Sequence, residues 1–436
     1  MPRQSDLPLI YKASRPVAAP PAGATLDDWL HFLESLHPAE IELGLDRVLI
    51  VFRRLFRHKP GARILTVGGT NGKGSTVAAL ERLLARAGRS TGAYTSPHLK
   101  RYNERVRING QEVTDDELVR AFEVVEAARR GTSLTYFEFG TLVTFEIFRA
   151  AGVDDWILEV GLGGRLDAVN LVDADLAIIT SVDLDHQAFL GNDTETIGFE
   201  KAGILRAGRP AIFADEKPPR SVLQQASAQG IRLLRPGDGY RLRPTGKQDV
   251  HRLLEMDGDS VPVKIPCQGL PVNSLAAAVV AVRSLEPGLP AASITRALEG
   301  LSLPGRFEIL REFPLVIADV GHNPHAARWL ASRMAALRKP GQKLLAIYGA
   351  LADKDIDGVV AAMAGQVDHW FPVALDVPRG LPCEQLIQPM AGLRRANCAA
   401  TVKQALSAAL AQAEATDLIL AFGSFHTVAA VRDQLV

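Results

Sequence analysis

The sequence has few cysteines, no net charge and no long apolar run, and each of these absences argues against a class of protein. Its three cysteines, Cys267, Cys383 and Cys398, are too few and too scattered for a disulfide framework or a zinc site, so a reducing compartment is expected. Lys and Arg together number 49, as do Asp and Glu, whereas proteins that coat nucleic acid or anionic membranes carry a basic excess. The longest apolar run, Leu275–Val282, is far shorter than the ~18 residues of a membrane helix.

The remaining composition is that of an ordinary globular protein. Hydrophobic residues make up 47% and charged residues 22% of the 436 residues, a length that predicts two or three domains. The N-terminal segment, MPRQSDLPLIYKASRPVAAPP, lacks the apolar centre of a signal peptide and is interpreted as a Pro-rich arm. Together these features predict a soluble cytoplasmic protein that binds neither nucleic acid nor membranes, with a monomer as the default.

Strand-like and helix-like segments alternate along most of the chain, which is typical of a parallel sheet covered on both faces by helices. The predicted strands are Arg63–Val67, Thr91–Thr95, Trp156–Val160, Leu176–Val182, Leu315–Ala318, Leu344–Tyr348, Trp370–Val373 and Leu418–Phe422. The predicted helices are Leu26–Leu36, Leu45–Arg57, Val77–Ala87, Asp115–Arg130, Tyr136–Ala150 and Ala276–Leu285.

Two irregular stretches interrupt this alternation. Residues 240–265 are polar with short alternations and predict a small β insert, and Leu303–Arg306 (LPGR) reads as a linker. The sequence therefore predicts an α/β protein with two domains. Residues 1–303 would form a parallel-sheet domain with the β insert, and residues 304–436 a smaller Rossmann-like α/β domain.

A glycine-rich segment between the first predicted strand and a helix has the parts of a phosphate-binding loop. Residues 69–75 read GTNGKGS, in which helix-start N–H groups bind phosphate oxygens and Lys73 reaches the terminal phosphates. The segment departs from the general G-x-x-x-x-G-K-[ST] pattern, because Val67 replaces the first glycine and Gly74 follows the lysine. Hydroxyls come only at Ser75 and Thr76. A glycine-rich turn without a ligand is the alternative, and the strand–loop–helix context favours the nucleotide site.

Three other predicted strands carry polar side chains at or just after their carboxyl ends. Ser96 follows one strand, Glu159 lies in the next, and Asp185 and His186 follow a third. Because ligands bind at the carboxyl ends of parallel strands, these groups are expected beside the phosphate loop, where oxygen ligands suit Mg²⁺. Singly each has a simpler explanation: Glu159 pairs with Arg165, His186 caps a loop, and Ser96 belongs to a turn. Their joint arrangement favours a metal–nucleotide site.

Together these segments resemble the Mur ligase family, and within it the branch that acts on folates, over nearly the whole chain. The resemblance is carried by Gly69–Ser75, Ser96–Leu99, Asn103–Val106, Leu158–Ala168, Asp185-His186, Glu200–Ile204, Asp319–Pro324 and Gly423–Phe425. The Lys-Gly-Ser order is normal in this family, and one departure is Val320-Gly321 in place of the more usual Gly-Ala. The resemblance implies an ATP-dependent ligase that joins L-glutamate to dihydropteroate and to the glutamate tail of reduced folates through an acyl phosphate.

The resemblance also implies roles for individual residues. Contacts to ATP would come from Thr70, Asn71, Gly72, Lys73, Gly74, Ser75, Asn273, Arg306 and Asp319. Magnesium, as two ions, would be held by Ser96, Glu159 and His186, and by a carbamate on Lys201. Contacts to the pterin would come from Glu40, Ile41, Glu42, Leu43, Thr135, Tyr136, Phe137, Glu138, Leu166, Asp167 and Ala168. The proposed catalytic residues are Lys73, Lys201 and His322.

Several alternatives stay open at this point. His322 either orients groups or moves a proton near the acyl phosphate, or it only shapes the turn before Asn323. Without the resemblance, Lys201 reads as a surface lysine paired with Glu200. A Mur-type ligase for UDP-sugar peptidoglycan precursors is disfavoured, because only about 65 residues precede the phosphate loop. A P-loop switch does not explain a second α/β domain that supplies Arg306. Closure of the two domains over ATP, hinged at Pro304-Gly305, is a further expectation.

Overall fold

The computed structural model describes residues 18–37, 41–246, 251–258, 261–393 and 395–436. Its helices are α1 (Leu26–Ser35), α2 (Asp46–Leu55), α3 (Lys73–Arg86), α4 (Asp115–Arg129), α5 (Tyr136–Ala151), α6 (Gln187–Leu190), α7 (Thr194–Ala202), α8 (Arg220–Ala228), α9 (Val272–Leu285), α10 (Ala291–Leu298), α11 (Pro324–Leu337), α12 (Ile356–Met363), α13 (Cys383–Leu386), α14 (Val402–Gln412) and α15 (Phe425–Leu435).

The strands are β1 (Arg63–Gly68), β2 (Thr91–Tyr94), β3 (Val106–Ile108), β4 (Gln111–Glu112), β5 (Asp155–Glu159), β6 (Leu176–Ile179), β7 (Ala211–Phe213), β8 (Leu233–Pro236), β9 (Gly239–Pro244), β10 (His251–Met256), β11 (Val263–Pro266), β12 (Glu308–Glu312), β13 (Leu315–Asp319), β14 (Leu344–Tyr348), β15 (His369–Pro372), β16 (Arg395–Ala396) and β17 (Leu418–Phe422). Every strand and helix predicted above has a counterpart here, with ends that differ by a few residues.

The chain divides into two compact units, and the smaller one contains residues 1–60 and 113–152. In its described part, α1, α2, α4 and α5 pack around aromatic side chains: Trp29 stacks on Phe122 at 5.7 Å between ring centroids, and Phe122 lies 5.9 Å from Phe139. Threonine caps fix where three of these helices begin. Thr25, for example, accepts from the backbone N–H of Asp28, whose carboxylate accepts in return from the Thr25 backbone N–H.

The larger unit, residues 61–112 and 153–436, contains an eleven-stranded sheet. Its order is β11-β10-β9-β8-β7-β6-β1-β5-β2-β3-β4, and the neighbours from β2 through β5, β1, β6 and β7 to β8 are parallel. The central strands are buried on both faces, which explains their continuous apolar sequences. The predicted β insert is confirmed as β9–β11, which continue this sheet with antiparallel pairs.

The larger unit also contains a second, six-stranded sheet with the order β12-β13-β17-β14-β15-β16. All neighbours except β12 and β13 are parallel. The predicted fold class, a large mainly parallel sheet with a β insert and a smaller α/β sheet, is confirmed. Among the described residues, no helix is both long enough and apolar enough to cross a membrane.

The cysteines differ from the expectation. Cys383 and Cys398 form a disulfide. The sequence instead predicts no disulfide framework, because the cysteines are few and scattered, and it predicts a reducing compartment, which disfavours such bonds. Cys383 begins α13 and Cys398 follows β16, so tertiary packing brings together two residues that no sequence periodicity connects. Cys267 is buried.

Candidate active site

The segment between β1 and α3 forms a tight loop against the end of β6. Gly69 and Gly72 have φ angles of 140° and 85°, in the left-handed region that glycine adopts without strain. A Cβ on Gly69 would lie 1.9 Å from Thr180 Oγ1, so no larger residue fits. Helix α3 begins at Lys73, four residues before the predicted start at Val77. The apolar spacing used for the prediction does not reveal the first turn, because that turn carries no apolar residue. The N–H groups of that turn therefore border the loop, where they favour an anion such as phosphate.

Lysine 73 and the two residues before Gly72 fill the loop. Lys73 Nζ donates to Gly69 O at 3.0 Å and to Thr70 O at 3.3 Å, so its charge lies over the loop. Thr70 Oγ1 donates to Asp183 O at 3.1 Å. Asn71 Nδ2 donates to Asn323 Oδ1 at 3.1 Å, which links the loop to the segment after β13. The structure thus places the predicted phosphate-binding residues in one loop of the larger unit.

Arg306 and Asp319 bring the second sheet to this loop. Asp319 is buried and Arg306 is partly buried, and Asp319 accepts from the backbone N–H of Phe307 at 2.8 Å. Burial raises the pKa of Asp319, and the Arg306 charge acts in the opposite direction. A Cβ on Gly74 would lie 3.9 Å from Arg306 Nη2 and 3.8 Å from Glu159 Oε2. A guanidinium and a carboxylate therefore flank the first turn of α3.

Ser96 and Glu159, two of the predicted metal ligands, lie side by side after β2 and at the end of β5. The backbone N–H of Ser96 donates to Glu159 Oε2 at 3.3 Å. Burial raises the pKa of Glu159, while Lys73 and Arg306 lower it. Arg165, the partner considered for Glu159 above, instead pairs with Glu200 at 2.8 Å. The Glu159 carboxylate therefore lies at the phosphate loop and not in an ion pair with Arg165.

His186, the third predicted metal ligand, is the N-cap residue immediately before the short helix α6. Burial lowers its pKa to about 4, so the imidazole is neutral at neutral pH, the form that binds metal ions. Within the described ranges, no group of three His, Cys, Asp or Glu side chains is arranged to hold a metal ion. The predicted set has only two residues of these types, Glu159 and His186, together with the Ser96 hydroxyl.

Lys201 is buried in the last turn of α7. The surface pairing with Glu200 considered above is wrong, because Lys201 is 4% exposed and Glu200 binds Arg165. Burial, followed by the nearby charge of Lys73, lowers the pKa of Lys201 to about 7. A large fraction of this amine is therefore neutral at neutral pH, and carbamate formation requires a neutral amine.

Asp185 connects the two sheets beside these groups. Lys354 Nζ lies 3.0 Å from Asp185 Oδ1, Asn323 Nδ2 donates to Oδ2 at 3.0 Å, and His322 Nε2 lies 3.6 Å from Oδ2. Burial alone would raise the pKa of Asp185, but His322, Lys354 and His186 hold it well below its usual range. His322 also contacts Val320 O through Nδ1 at 2.9 Å. His322 contacts both Asp185 at the site and Val320 in the turn before Asn323. Its role in orienting groups or moving a proton and its role in shaping the turn therefore both stay predictions.

Lys354 and Asn323 are members of this network that the sequence did not single out for a role. Lys354 lies in the loop after β14, and its ammonium contacts Asp185. Like Ser96 and His186, Lys354 follows the carboxyl end of a parallel strand, and this is the sequence signal that points to it.

Replacing Asp185 with asparagine is expected to lower the free energy of unfolding by about 3 kcal/mol, because it leaves the buried Lys354 ammonium without its closest carboxylate. Asp183→Asn is the matched control. Its partner Arg328, at 2.8 Å, is 58% exposed, so the loss is expected to be about 1 kcal/mol or less. Urea unfolding of both variants measures the difference. Equal losses in the two variants would show that the Asp185–Lys354 pair contributes no more than a surface pair.

Asn273, the remaining predicted ATP contact, lies at the start of α9 next to the phosphate loop. Its neighbour Ser274 donates through Oγ to Gly72 O at 3.2 Å. A cavity of about 280 Å³ lies beside Asn273, with Glu216 and Arg241 among its lining residues. The β insert thus contributes a wall to this cavity through β9.

The residues predicted to contact the pterin lie in both units, and Glu40 lies outside the described residues. In the smaller unit, Glu138 and Thr135 form the capping box of α5, and Glu138 Oε2 accepts from the Thr135 backbone N–H at 2.8 Å. Arg47 links Glu138 to Glu42, and Glu42 lies between Ile41 and Leu43 in the sequence. Between Thr135 and Glu138 lie two residues that are partly buried, Tyr136 and Phe137.

In the larger unit, residues 166–168 follow β5. Asp167 is buried and accepts from the backbone N–H groups of Leu162 at 2.8 Å and Val169 at 3.1 Å. Burial raises the pKa of Asp167 to about 6, although these hydrogen bonds act to lower it. Leu166 is partly buried and Ala168 is buried. A tight turn after Gly164 therefore presents these three residues.

Comparisons with known proteins match nearly the whole chain. The family model described as "Mur ligase, glutamate ligase domain" matches residues 305–425. The dihydrofolate synthase/folylpolyglutamate synthase of Escherichia coli (strain K12) is 44% identical over 95% of this chain and 96% of its own length.

Two solved structures are similar over the same extent. E. coli FolC in complex with DHPP and ADP matches with a TM-score of 0.91 and 44% identity, over 95% of this chain and 99% of that one. A bifunctional folylpolyglutamate synthase/dihydrofolate synthase with Mn, AMPPNP and L-glutamate bound matches with a TM-score of 0.87 and 42% identity, over 95% and 99%.

Proposed function

This chain belongs to the bacterial dihydrofolate synthase/folylpolyglutamate synthase family, and from that premise we propose how its residues join L-glutamate to dihydropteroate and to the glutamate tail of reduced folates. The activity is that of an ATP-dependent ligase. One observation carries the residue assignments: Arg306 and Asn323, from the segments around β12 and β13, reach the same phosphate loop as Lys73 and Glu159.

The reaction has to overcome the poor reactivity of a carboxylate. An oxygen of the substrate carboxylate attacks the γ-phosphorus of ATP, and ADP leaves. The amine of glutamate then attacks the acyl carbon and loses a proton, and phosphate leaves with one of the original carboxylate oxygens. The first step brings two anions together, so Lys73 and Arg306 serve to offset the charge, as cations do in other phosphoryl transfers.

The phosphate loop would hold the ATP phosphates through Thr70–Ser75, and the cavity beside Asn273 would take the nucleoside. Asp319 would bind the same nucleotide from the second sheet, because it lies with Arg306 behind the loop. The burial of Asp319 near the charge of the partly buried Arg306 supports this assignment, since buried charges are held where they interact with each other or with a ligand.

The residues present fit a divalent cation. Ser96 and Glu159 would supply oxygens, and His186 a neutral ring nitrogen. When bound, Mg²⁺ neutralises phosphate charge and orients the γ-phosphate. Lys201, as a carbamate, would direct a further oxygen toward a second ion, and its lowered pKa and burial support this modification. His322 would orient the reacting groups or move a proton from the attacking amine, since Nε2 reaches Asp185.

For the smaller unit we assign pterin contacts to the segments at residues 41–43 and 135–138, and for the larger unit we assign them to residues 166–168. Asp167 and Glu138 are buried carboxylates held by backbone N–H groups, which suits the recognition of a ring with several N–H donors. We place the domain boundary near residue 303, because β12 begins the second sheet at Glu308. Closure about Pro304-Gly305, a monomeric state and a cytoplasmic location, where ATP and folates are made and used, complete the proposal.

The proposed function is tested by ADP release from Mg-ATP with dihydropteroate plus glutamate, with tetrahydrofolate plus glutamate, and with each component omitted. Release with both acceptors that depends on glutamate is the expected result. ADP release with the reduced folate as the only active acceptor would contradict the proposed dihydropteroate activity and the assignment of the pterin contacts. Release that is indifferent to both acceptors would leave an ATPase and remove the ligase.

A further inference from the structure

Arg47 makes a connection in the smaller unit that neither the sequence pattern nor the comparisons assign to a function. It lies in the first turn of α2, with 20% of its side chain exposed. Its Nε donates to Glu138 Oε1 at 3.0 Å and to Oε2 at 2.8 Å, its Nη2 donates to Glu42 O at 2.9 Å, and its Nη1 lies 2.5 Å from Glu42 Oε1. The Arg47 guanidinium thus binds Glu42, through its carboxylate and its backbone carbonyl, and it also binds the carboxylate of Glu138.

The carboxylate that Arg47 binds is itself part of a helix cap. Glu138 is 3% exposed, and its Oε2 also accepts from the backbone N–H of Thr135 at 2.8 Å and from Thr135 Oγ1 at 3.0 Å. The position of Thr135–Glu138 is therefore tied to Arg47 through an almost fully buried carboxylate. Burial alone would lower the pKa of Arg47, but Glu138 and Glu42 raise it, so the group is charged at any pH of interest.

We propose that Arg47 is a positioning residue for the pterin substrate, which sets the relative placement of the segments at residues 41–43 and 135–138. The proposal rests on the proposed function, which assigns both segments to pterin binding. Arg47 acts through Glu42 and Glu138 and not by touching the reacting atoms. Only a planar guanidinium spans both partners, because it presents several N–H donors in a fixed fork, whereas an ammonium is a single point.

Arg54 offers a matched control in the same helix. It lies in the last turn of α2, and its Nη1 donates to Ala128 O at 3.0 Å, to Arg129 O at 2.8 Å and to Thr132 Oγ1 at 3.2 Å. Arg54 thus also connects two segments of the smaller unit, but its partners lie at the end of α4, outside the two segments that Arg47 joins. A purely structural role predicts similar consequences for Arg47→Ala and Arg54→Ala.

The experiment measures steady-state kinetics of wild type, Arg47→Ala, Arg47→Lys and Arg54→Ala, with circular dichroism to show that each is folded. Arg47→Ala is expected to raise KM for dihydropteroate at least tenfold while KM for ATP changes less than twofold. Arg47→Lys should fall between wild type and Arg47→Ala, and Arg54→Ala should leave both KM values near wild type. Guanidinium at millimolar concentration should restore part of the lost dihydropteroate affinity to Arg47→Ala and to no other variant.

Each other outcome overturns the proposal. An unchanged KM for dihydropteroate in Arg47→Ala removes the positioning role, and so does an equal rise in KM for ATP or the same effect in Arg54→Ala. If Arg47→Ala does not fold, Arg47→Lys provides the test, and the change in its KM for dihydropteroate is compared with the change in its KM for ATP. A wild-type enzyme without dihydropteroate-dependent ADP release would instead refute the proposed function, so the two failures are distinguishable.

Discussion

Replacing Lys201 with alanine is expected to lower kcat about a thousandfold, the size of loss seen when one group that stabilises transition-state charge is removed. Lys201 is buried in the last turn of α7, and burial, followed by the charge of Lys73, lowers its pKa to about 7. As a carbamate it would carry a negative oxygen ligand in place of a cation. Alanine removes that ligand but leaves the phosphate loop intact, so the affinity for ADP should change little. Rapid-quench measurement of the chemical step together with ADP binding tests both expectations.

The carbamate makes this prediction specific. Formate or acetate should restore part of the activity of Lys201→Ala, because a small carboxylate can occupy the space that the side chain leaves. Lys217→Ala, at an exposed position, should behave as wild type. Isotopically labelled bicarbonate should give a carbamate carbon signal in wild type and none in Lys201→Ala. A fully active Lys201→Ala would show that this lysine has no part in the reaction.

The pH dependence of the reaction follows from the same pKa. Because the pKa of Lys201 is lowered, to about 7, the neutral amine predominates above that pH and the ammonium below it. Carbamate, and with it activity, should therefore be lost as the pH falls below about 7 and should recover when dissolved CO₂ is raised. Activity that is independent of CO₂ at pH 6 would contradict the carbamate.

Replacing Lys73 with methionine is the second change with a large expected effect, a loss in kcat of about a hundredfold to a thousandfold. Methionine keeps much of the stem but lacks the charge that lies over the loop, 3.0 Å from Gly69 O. The N–H groups of the first turn of α3 are unaffected, so they should still bind ADP. Turnover and ADP affinity should therefore separate in this variant.

Lys73→Arg is the control for charge. It keeps a cation in the loop, with a planar head that differs in shape, so its activity should lie between wild type and Lys73→Met. Isothermal titration with ADP and steady-state turnover give the two quantities. A parallel loss of ADP affinity and turnover in Lys73→Met would mean that the lysine holds the nucleotide and does not act on the transferred phosphate.

The sequence predicts the part of the site that strand ends deliver. Ser96, Glu159 and His186 are found because each follows or ends an apolar run, and parallel strands bring such ends to one edge. The phosphate loop is found by its glycines, although its helix begins at Lys73 and the apolar spacing starts only at Val77. These features are local in the sequence, which is why they are readable without a structure.

Features that depend on tertiary packing are not readable in this way. Strands β7, with three residues, and β8, with four, have no counterpart among the predicted strands, and their parallel pairing to β6 and to each other identifies them. The Asp185–Lys354 pair joins residues 169 positions apart. Arg47 meets Glu138 across 91 positions. In each case the fold selects the partner, and the residues adjacent in the sequence give no sign of it.

The most direct test of the central claim follows the oxygen atoms of the substrate carboxylate. Dihydropteroate labelled with heavy oxygen in its carboxylate is incubated with the enzyme, Mg-ATP and glutamate, and the released phosphate is analysed by mass spectrometry. An acyl phosphate predicts that each phosphate carries one labelled oxygen and that the new amide keeps the other. Phosphate without label, formed at the rate of ADP, would show that ATP is hydrolysed by water and would contradict the ligase mechanism proposed for these residues.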